Sequence, residues 1–219
     1  MTEPLPIRDR LAELKACRSQ RPDLRTEEII AFLFRGTPGL PDNWEERMLV
    51  TLDGPCASGK TTLAEALAEA LDAAIIHTDD FVVPHAQKTA ERLAIPGGNC
   101  DWERLCREVI IPWKAGLFPR YRRYDCRRAC LLPLESVGAG RILILEGSYC
   151  NLPAIRQYAD LRLFMVTPLE ERMERLRRRE SPESLRQFRE RWIPLEDAYF
   201  DAFGLPDSEI GRASCRERV

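Results

Sequence analysis

A glycine-rich stretch at residues 54–62, GPCASGKTT, has the spacing GxxxxGK[ST]. It follows an apolar run and precedes a run rich in Ala, Leu and Glu, which predicts a strand, a loop and a helix in that order. In this arrangement, backbone N–H groups and the positive end of the helix dipole converge on one anion. We therefore expect the loop to bind the phosphates of a nucleotide through Gly54, Pro55, Cys56, Ala57, Ser58, Gly59, Lys60, Thr61 and Thr62.

Two side chains of this loop predict what accompanies the phosphates. Lys60 is long enough to reach the β- and γ-phosphates, and the Thr61 hydroxyl can ligate Mg²⁺. A nucleoside triphosphate with Mg²⁺ is the expected ligand. Kinases, GTPases and motor ATPases share such a loop, so the loop alone does not select the reaction.

Acidic residues follow two other predicted strands. Asp79 and Asp80 come at the end of AAIIHTDDF, and Glu146 ends RILILEG. Ligands bind at the carboxyl ends of strands in open α/β sheets, and neighbouring side chains of an extended segment point to opposite faces. We expect one of the two aspartates to orient and deprotonate a hydroxyl, and Glu146 to hold Mg²⁺ through water. The alternatives are a turn cap and a surface glutamate.

A basic cluster lies in ERMERLRRRES. Arg172, Arg175 and Arg179 are spaced by three and four residues, so they share one face of a predicted helix. They could close over the phosphates and stabilise the charge on a moving phosphoryl group. Alternatively, they form ion pairs with the neighbouring glutamates on a solvated helix.

Strands alternating with helices predict an α/β fold with a mostly parallel sheet covered by helices on both faces. The apolar segments RMLVTLDG, AAIIHTDDF, RILILEGSY and LRLFMV are the predicted strands. We expect an N-terminal helical extension over residues 1–45, which could pack on the sheet or mediate self-association into a homo-oligomer. The main domain is predicted over residues 46–208.

Composition excludes several classes of partner. In 219 residues, Lys and Arg total 33 against 35 Asp and Glu, which gives no reason to expect nucleic acid as a partner. No apolar run approaches the roughly 20 residues of a membrane span, and the N-terminus lacks the apolar core of a signal peptide. We expect no membrane partner and a cytoplasmic location. The eight cysteines are scattered, which favours reduced thiols.

Three segments together resemble the uridine kinase-like family of P-loop kinases, which includes relatives of phosphoribulokinase and nicotinamide riboside kinase. These segments are residues 54–62, HTDDF at 77–81 and LEGSY at 145–149, and the likeness covers about residues 48–207. The resemblance implies a P-loop NTPase fold, ATP or GTP as donor, Mg²⁺, and a small-molecule acceptor, with a nucleoside the first choice. The alternatives are a kinase of another small alcohol or sugar phosphate, and a P-loop regulatory ATPase.

The resemblance also implies roles for individual residues. Asp79 matches the base or hydroxyl orienter and lies on the magnesium side with Glu146, whereas Asp101 matches an aspartate that grips ribose hydroxyls. Tyr124 matches a tyrosine that lines the base pocket, and Asp80 and Arg128 complete the expected acceptor contacts. Uridine kinases place a histidine shortly after that tyrosine, but this chain has CRRAC. These arginines would suit an acidic or phosphorylated acceptor.

The last residues, Glu209–Val219, resemble the translation of a common sequencing adapter. We expect the natural product to diverge near Ser208, with a solvated polar tail as the alternative. Family members continue into a further strand at this point, so the sequence predicts a sheet that could lack its last strand.

Overall fold

The computed structural model describes residues 47–206, the backbone of residues 211–214, and Arg10, Glu13, Leu14, Ala16 and Leu33. Most of the predicted N-terminal extension and the end of the adapter-like segment lie outside these residues. Leu14 and Leu33 are helical and are buried in an apolar cluster of the main domain.

Nine strands are present in the described part of the chain. They are β1 (Met48–Asp53), β2 (Ala74–His77), β3 (Arg120–Tyr121), β4 (Tyr124–Asp125), β5 (Cys130–Leu131), β6 (Glu135–Ser136), β7 (Ile142–Glu146), β8 (Leu161–Val166) and β9 (Gly211–Ser214).

The helices of the described residues surround these strands. They are α1 (Lys60–Leu71), α2 (Ala90–Ala94), α3 (Trp102–Leu105), α4 (Ile111–Lys114), α5 (Pro153–Arg156), α6 (Leu169–Arg179), α7 (Pro182–Gln187) and α8 (Ile193–Phe203). Short 3-10 helices lie at Thr78–Phe81 and His85–Gln87. Two π-helical segments, Cys106–Ile110 and Phe188–Trp192, join α3 to α4 and α7 to α8.

The main sheet has the order β2–β7–β1–β8–β9, and every pair in it is parallel. Alternate residues of β1 enter two apolar clusters: Val50 and Leu52 face the cluster of α1, and Leu49 faces the cluster of the helical stretch 102–114. Helices therefore cover both faces, and the predicted α/β fold class is confirmed. Between α4 and β7 the chain forms the short antiparallel pairs β3–β6 and β4–β5.

The edge position beside β8 is occupied by the backbone of β9. The sequence predicted that this strand could be missing, and the structure instead forms it from residues of the adapter-like segment. The physical reason is that an unpaired strand edge offers backbone N–H and C=O groups to any extended segment, whatever its side chains.

Each π-helical segment ends just before a proline. Pro112 follows Cys106–Ile110 and Pro194 follows Phe188–Trp192, both after one intervening residue. Proline has no N–H to donate to the carbonyl four residues earlier and its ring clashes with that carbonyl, so the hydrogen-bond ladder widens locally. None of the helices in the described residues is both long and apolar enough to cross a bilayer.

Candidate active site

The glycine-rich loop leaves β1 and enters α1, and its backbone requires glycine at two positions. Gly54 has a φ of 138°, and a Cβ there would lie 2.7 Å from the carbonyl oxygen of Met165 in β8. Gly59 has a φ of 95° and immediately precedes the first residue of α1. These conformations let the loop fold around the N-terminus of a three-turn helix, where an anion is stabilised by N–H groups and the dipole.

Lys60 is buried at the mouth of this loop. Its Nζ donates hydrogen bonds to the carbonyl oxygens of Gly54 at 2.8 Å and Pro55 at 2.9 Å. An ammonium group has three N–H donors, so one remains for a bound anion. These two bonds hold the Lys60 side chain against the loop, where its positive charge adds to the attraction of the loop N–H groups for an anion.

Glu146 connects the loop to the neighbouring strand end. It is buried at the end of β7, accepts a hydrogen bond from the Thr61 hydroxyl at 3.1 Å, and lies 2.6 Å from Nδ1 of His77. The hydrogen bond between His77 and Glu146 is the main cause of the raised pKa of His77. Carboxylate and hydroxyl oxygens are ligands that Mg²⁺ prefers. Bound phosphates and water molecules supply its remaining ligands. Thr61 and Glu146 thus fit a magnesium ion next to a bound nucleotide.

Asp79 lies in the 3-10 turn Thr78–Phe81 and lines the same cavity as Lys60, Thr61 and Glu146. The side chain faces the open cavity, but the surrounding protein displaces bulk water, and this desolvation raises its pKa. The positive charge of Lys60 opposes that rise, and the charge of Glu146 adds to it. A carboxylate with a raised pKa is better suited to accept a proton.

Asp80 points elsewhere and does not line the cavity. Burial raises its pKa to about 6, and its other charged neighbours include His77 and Arg123. The sequence predicted an extended segment here, whereas the structure has a 3-10 turn, and of the two aspartates only Asp79 lines the cavity.

The cavity has a volume of about 650 Å³. Besides the loop, Asp79 and Glu146, its lining includes His85, Lys88, Asn99, Cys126, Phe188, Arg191 and Trp192. A volume of this size accommodates a small molecule next to the phosphates of a nucleotide.

The three arginines of α6 make different contacts. Arg172 lies 3.5 Å from the carbonyl oxygen of Cys56, and Arg175 donates to that of Ala57 at 3.1 Å. Both therefore contact the outside of the loop backbone. Only Arg179 of the three lines the cavity, where its charge lowers the pKa of Asp79.

Three residues expected to contact the acceptor lie outside the residues that line the cavity. Asp101 caps α3 by accepting the Arg104 N–H at 3.0 Å. Tyr124 is buried, and its hydroxyl accepts the backbone N–H of His85 at 3.3 Å. Arg128 is exposed beside Asp125, 3.7 Å from its carboxylate. Local hydrogen bonding accounts for each of these positions, and their contact with an acceptor stays a prediction.

Sequence reasoning missed two acids that accept hydrogen bonds from backbone N–H groups of the loop, Glu196 and Asp53. Glu196 of α8 is buried, its two carboxylate oxygens accept the Cys56 N–H at 3.1 and 2.9 Å, and one of them accepts the Ser148 hydroxyl at 2.5 Å. Asp53, the last residue of β1, accepts hydrogen bonds from Gly54 N–H at 2.7 Å and Tyr199 hydroxyl at 2.7 Å. Burial raises the Asp53 pKa to about 6. The sequence feature that could have pointed to this support is Glu196 and Tyr199, an acid and a tyrosine three residues apart on one helix.

No protein-family model matches the chain, and no curated protein matches it. Solved structures do match. A structure described as a possible uridine kinase from Bacillus stearothermophilus has a TM-score of 0.63 at 18% identity, covering 94% of this chain and 98% of that one. A protein described as a fructose transport system kinase, from Silicibacter sp. TM1040, has a TM-score of 0.59 at 22% identity, covering 74% and 89%. The chain therefore has the fold of P-loop kinases.

Proposed function

We propose that this protein transfers the γ-phosphoryl group of ATP to a hydroxyl of a small molecule. The observation that carries the proposal is that one cavity contains both the loop lysine, Lys60, and the carboxylate of Asp79. A P-loop switch or ATPase needs only to position water, whereas a kinase needs an acceptor cavity beside a carboxylate.

Different residues of the chain would carry out different parts of this reaction. The loop N–H groups and Lys60 hold the phosphates, and Arg179 adds positive charge at the cavity wall. Thr61 and Glu146 would hold Mg²⁺, with Asp79 close to the same oxygens; a bound Mg²⁺ neutralises phosphate charge. Asp79 orients the acceptor hydroxyl and takes its proton as the acceptor oxygen bonds to phosphorus and ADP leaves.

The acceptor class follows from the resemblance to uridine kinase-like proteins, which makes a nucleoside the first class to test. The second class is a sugar phosphate or another acidic alcohol. It is favoured by two cations, Lys88 and Arg191, that line the cavity.

The test is an acceptor screen with purified protein and Mg²⁺-ATP. ADP formation is measured above the rate without acceptor, using nucleosides, nucleotides, pantothenate and sugar phosphates. We expect one class to stimulate ADP formation, and Asp79→Asn to remove the stimulation. Asp72→Asn is the matched control, because Asp72 is exposed at the C-terminal end of α1 and lies outside the cavity. ADP formation that no acceptor changes would instead support a regulatory ATPase.

A further inference from the structure

Two cations that line the cavity come from separate parts of the chain. Lys88 follows the 3-10 helix His85–Gln87, and Arg191 belongs to the π-helical segment Phe188–Trp192. Both lie over the ring of Trp192: the Lys88 Nζ is 5.9 Å and the Arg191 guanidinium carbon 4.7 Å from its centroid. Separate parts of the chain thus bring two positive charges to one aromatic ring.

Two of the three acids that line the cavity are engaged elsewhere: Glu146 binds Thr61 and His77, and Glu196 binds the loop N–H of Cys56. The third is Asp79, the carboxylate proposed to take the proton of the acceptor. Within the part of the chain that the structure describes, the side chains of Lys88 and Arg191 have no ion pair with a carboxylate. Lys88 is half-buried, and burial lowers its pKa. A partly buried ammonium without a counter-charge is costly, and an anionic ligand would remove that cost.

Lys88 and Arg191 line the same cavity as Lys60 of the nucleotide loop and Asp79. A molecule bound in that cavity can therefore contact the two cations and Asp79 together.

We propose that the acceptor carries an anionic group, a phosphate ester or a carboxylate, which Lys88 and Arg191 bind while a hydroxyl of the same molecule reaches Asp79. This inference rests on the proposed function, since it names the substrate class of the same site. A neutral nucleoside would leave both cations without a counter-charge.

The test compares neutral and anionic molecules that share a skeleton: ribose with ribose 5-phosphate, glycerol with glycerate, and uridine with uridine 5′-monophosphate. Binding to the full chain is measured by calorimetry with a non-hydrolysable ATP analogue and Mg²⁺ present, and ADP formation is measured separately. In at least one pair we expect the anionic member to bind more tightly by about 10-fold or more. Lys88→Gln and Arg191→Gln should each remove most of that preference and leave the KM for ATP within about 2-fold.

Arg189→Gln is the matched control, because Arg189 lies on the same π-helical segment, is exposed, and does not line the cavity. Equal binding of neutral and anionic members, or no binding by any anionic member, would overturn the inference. So would a rise in the KM for ATP in place of weaker anion binding. Turnover of neutral members alone would refute the inference and keep the proposed function. Tight anion binding without ADP formation from any member would refute the proposed function and keep the anion site.

Discussion

The change Tyr199→Phe tests the buried support of the nucleotide loop. Tyr199 is fully buried, and its hydroxyl donates to Asp53 Oδ2 at 2.7 Å and accepts the Asn151 N–H at 3.0 Å. The Asn151 N–H keeps a second partner, the same Asp53 oxygen at 2.9 Å. The substitution therefore removes one hydrogen bond to a carboxylate and keeps the ring that packs against Tyr149.

The size of the effect depends on the charge of Asp53. A hydrogen bond to a charged acceptor contributes about 1.5–3 kcal/mol and one between neutral groups about 1 kcal/mol. Burial raises the Asp53 pKa from 3.8 to about 6, so this group stabilises the fold most below pH 4 and loses that contribution, about 3 kcal/mol, as the pH rises through 6. The Tyr199 hydrogen bond lowers this pKa, so the variant should have a higher Asp53 pKa and a steeper loss.

We expect Tyr199→Phe to lower the free energy of unfolding by about 1 kcal/mol at pH 5 and by about 2–3 kcal/mol at pH 8. Urea denaturation at both pH values measures this difference. Tyr158→Phe is the control, because Tyr158 packs against the same apolar cluster and its hydroxyl bonds to none of the described residues. A loss that is equal at the two pH values, or below about 0.5 kcal/mol at pH 8, would refute the reasoning about Asp53.

Three further changes address the cavity itself. Asp79→Asn should lower kcat by at least about 10²-fold with the Kd for ATP nearly unchanged, because the loop is intact; turnover close to that of the wild type would remove Asp79 from the mechanism. Glu146→Gln should raise the Mg²⁺ concentration needed for half-maximal ADP formation and lower the pKa of His77, which NMR titration can follow. Arg179→Ala should lower kcat by about 10-fold or more, whereas Arg178→Ala, whose side chain pairs with Glu174 outside the cavity, should not; equal effects would indicate damage to the helix.

The sequence predicted the main sheet well because its strands are short and strongly apolar. All six residues of β1 and all five of β7 are buried, which is typical of central parallel strands. The end of α6 at Arg179 also follows from local sequence, since Ser181 caps α7 just before Pro182. The π-helical segments and the pairing of β9 were not predicted, since both arise from hydrogen bonding that side-chain periodicity does not encode.

The sequence brought candidate residues to one cavity only where they are contiguous in the chain or end neighbouring strands, and the roles given to them stay predictions. The loop is one segment, and Glu146 and Asp79 are brought together because β2 and β7 pair in parallel, with His77 opposite Glu146. Arg172 and Arg175 share the expected helix face, yet the rotation of α6 directs them at the loop backbone. Asp101 is held by its own helix terminus, since a local capping bond needs no tertiary partner.

The part of the cavity wall around Trp192 could not be predicted, because it joins residues about a hundred positions apart, Lys88 and Arg191. One continuous helical stretch, Phe188–Phe203, connects this wall to the nucleotide loop. Arg191 and Trp192 lie at its start, and Glu196 and Tyr199 hold the loop one to two turns later. The backbone hydrogen bonds of this helical stretch therefore fix the position of the wall relative to the loop, and no motif in the sequence links the two.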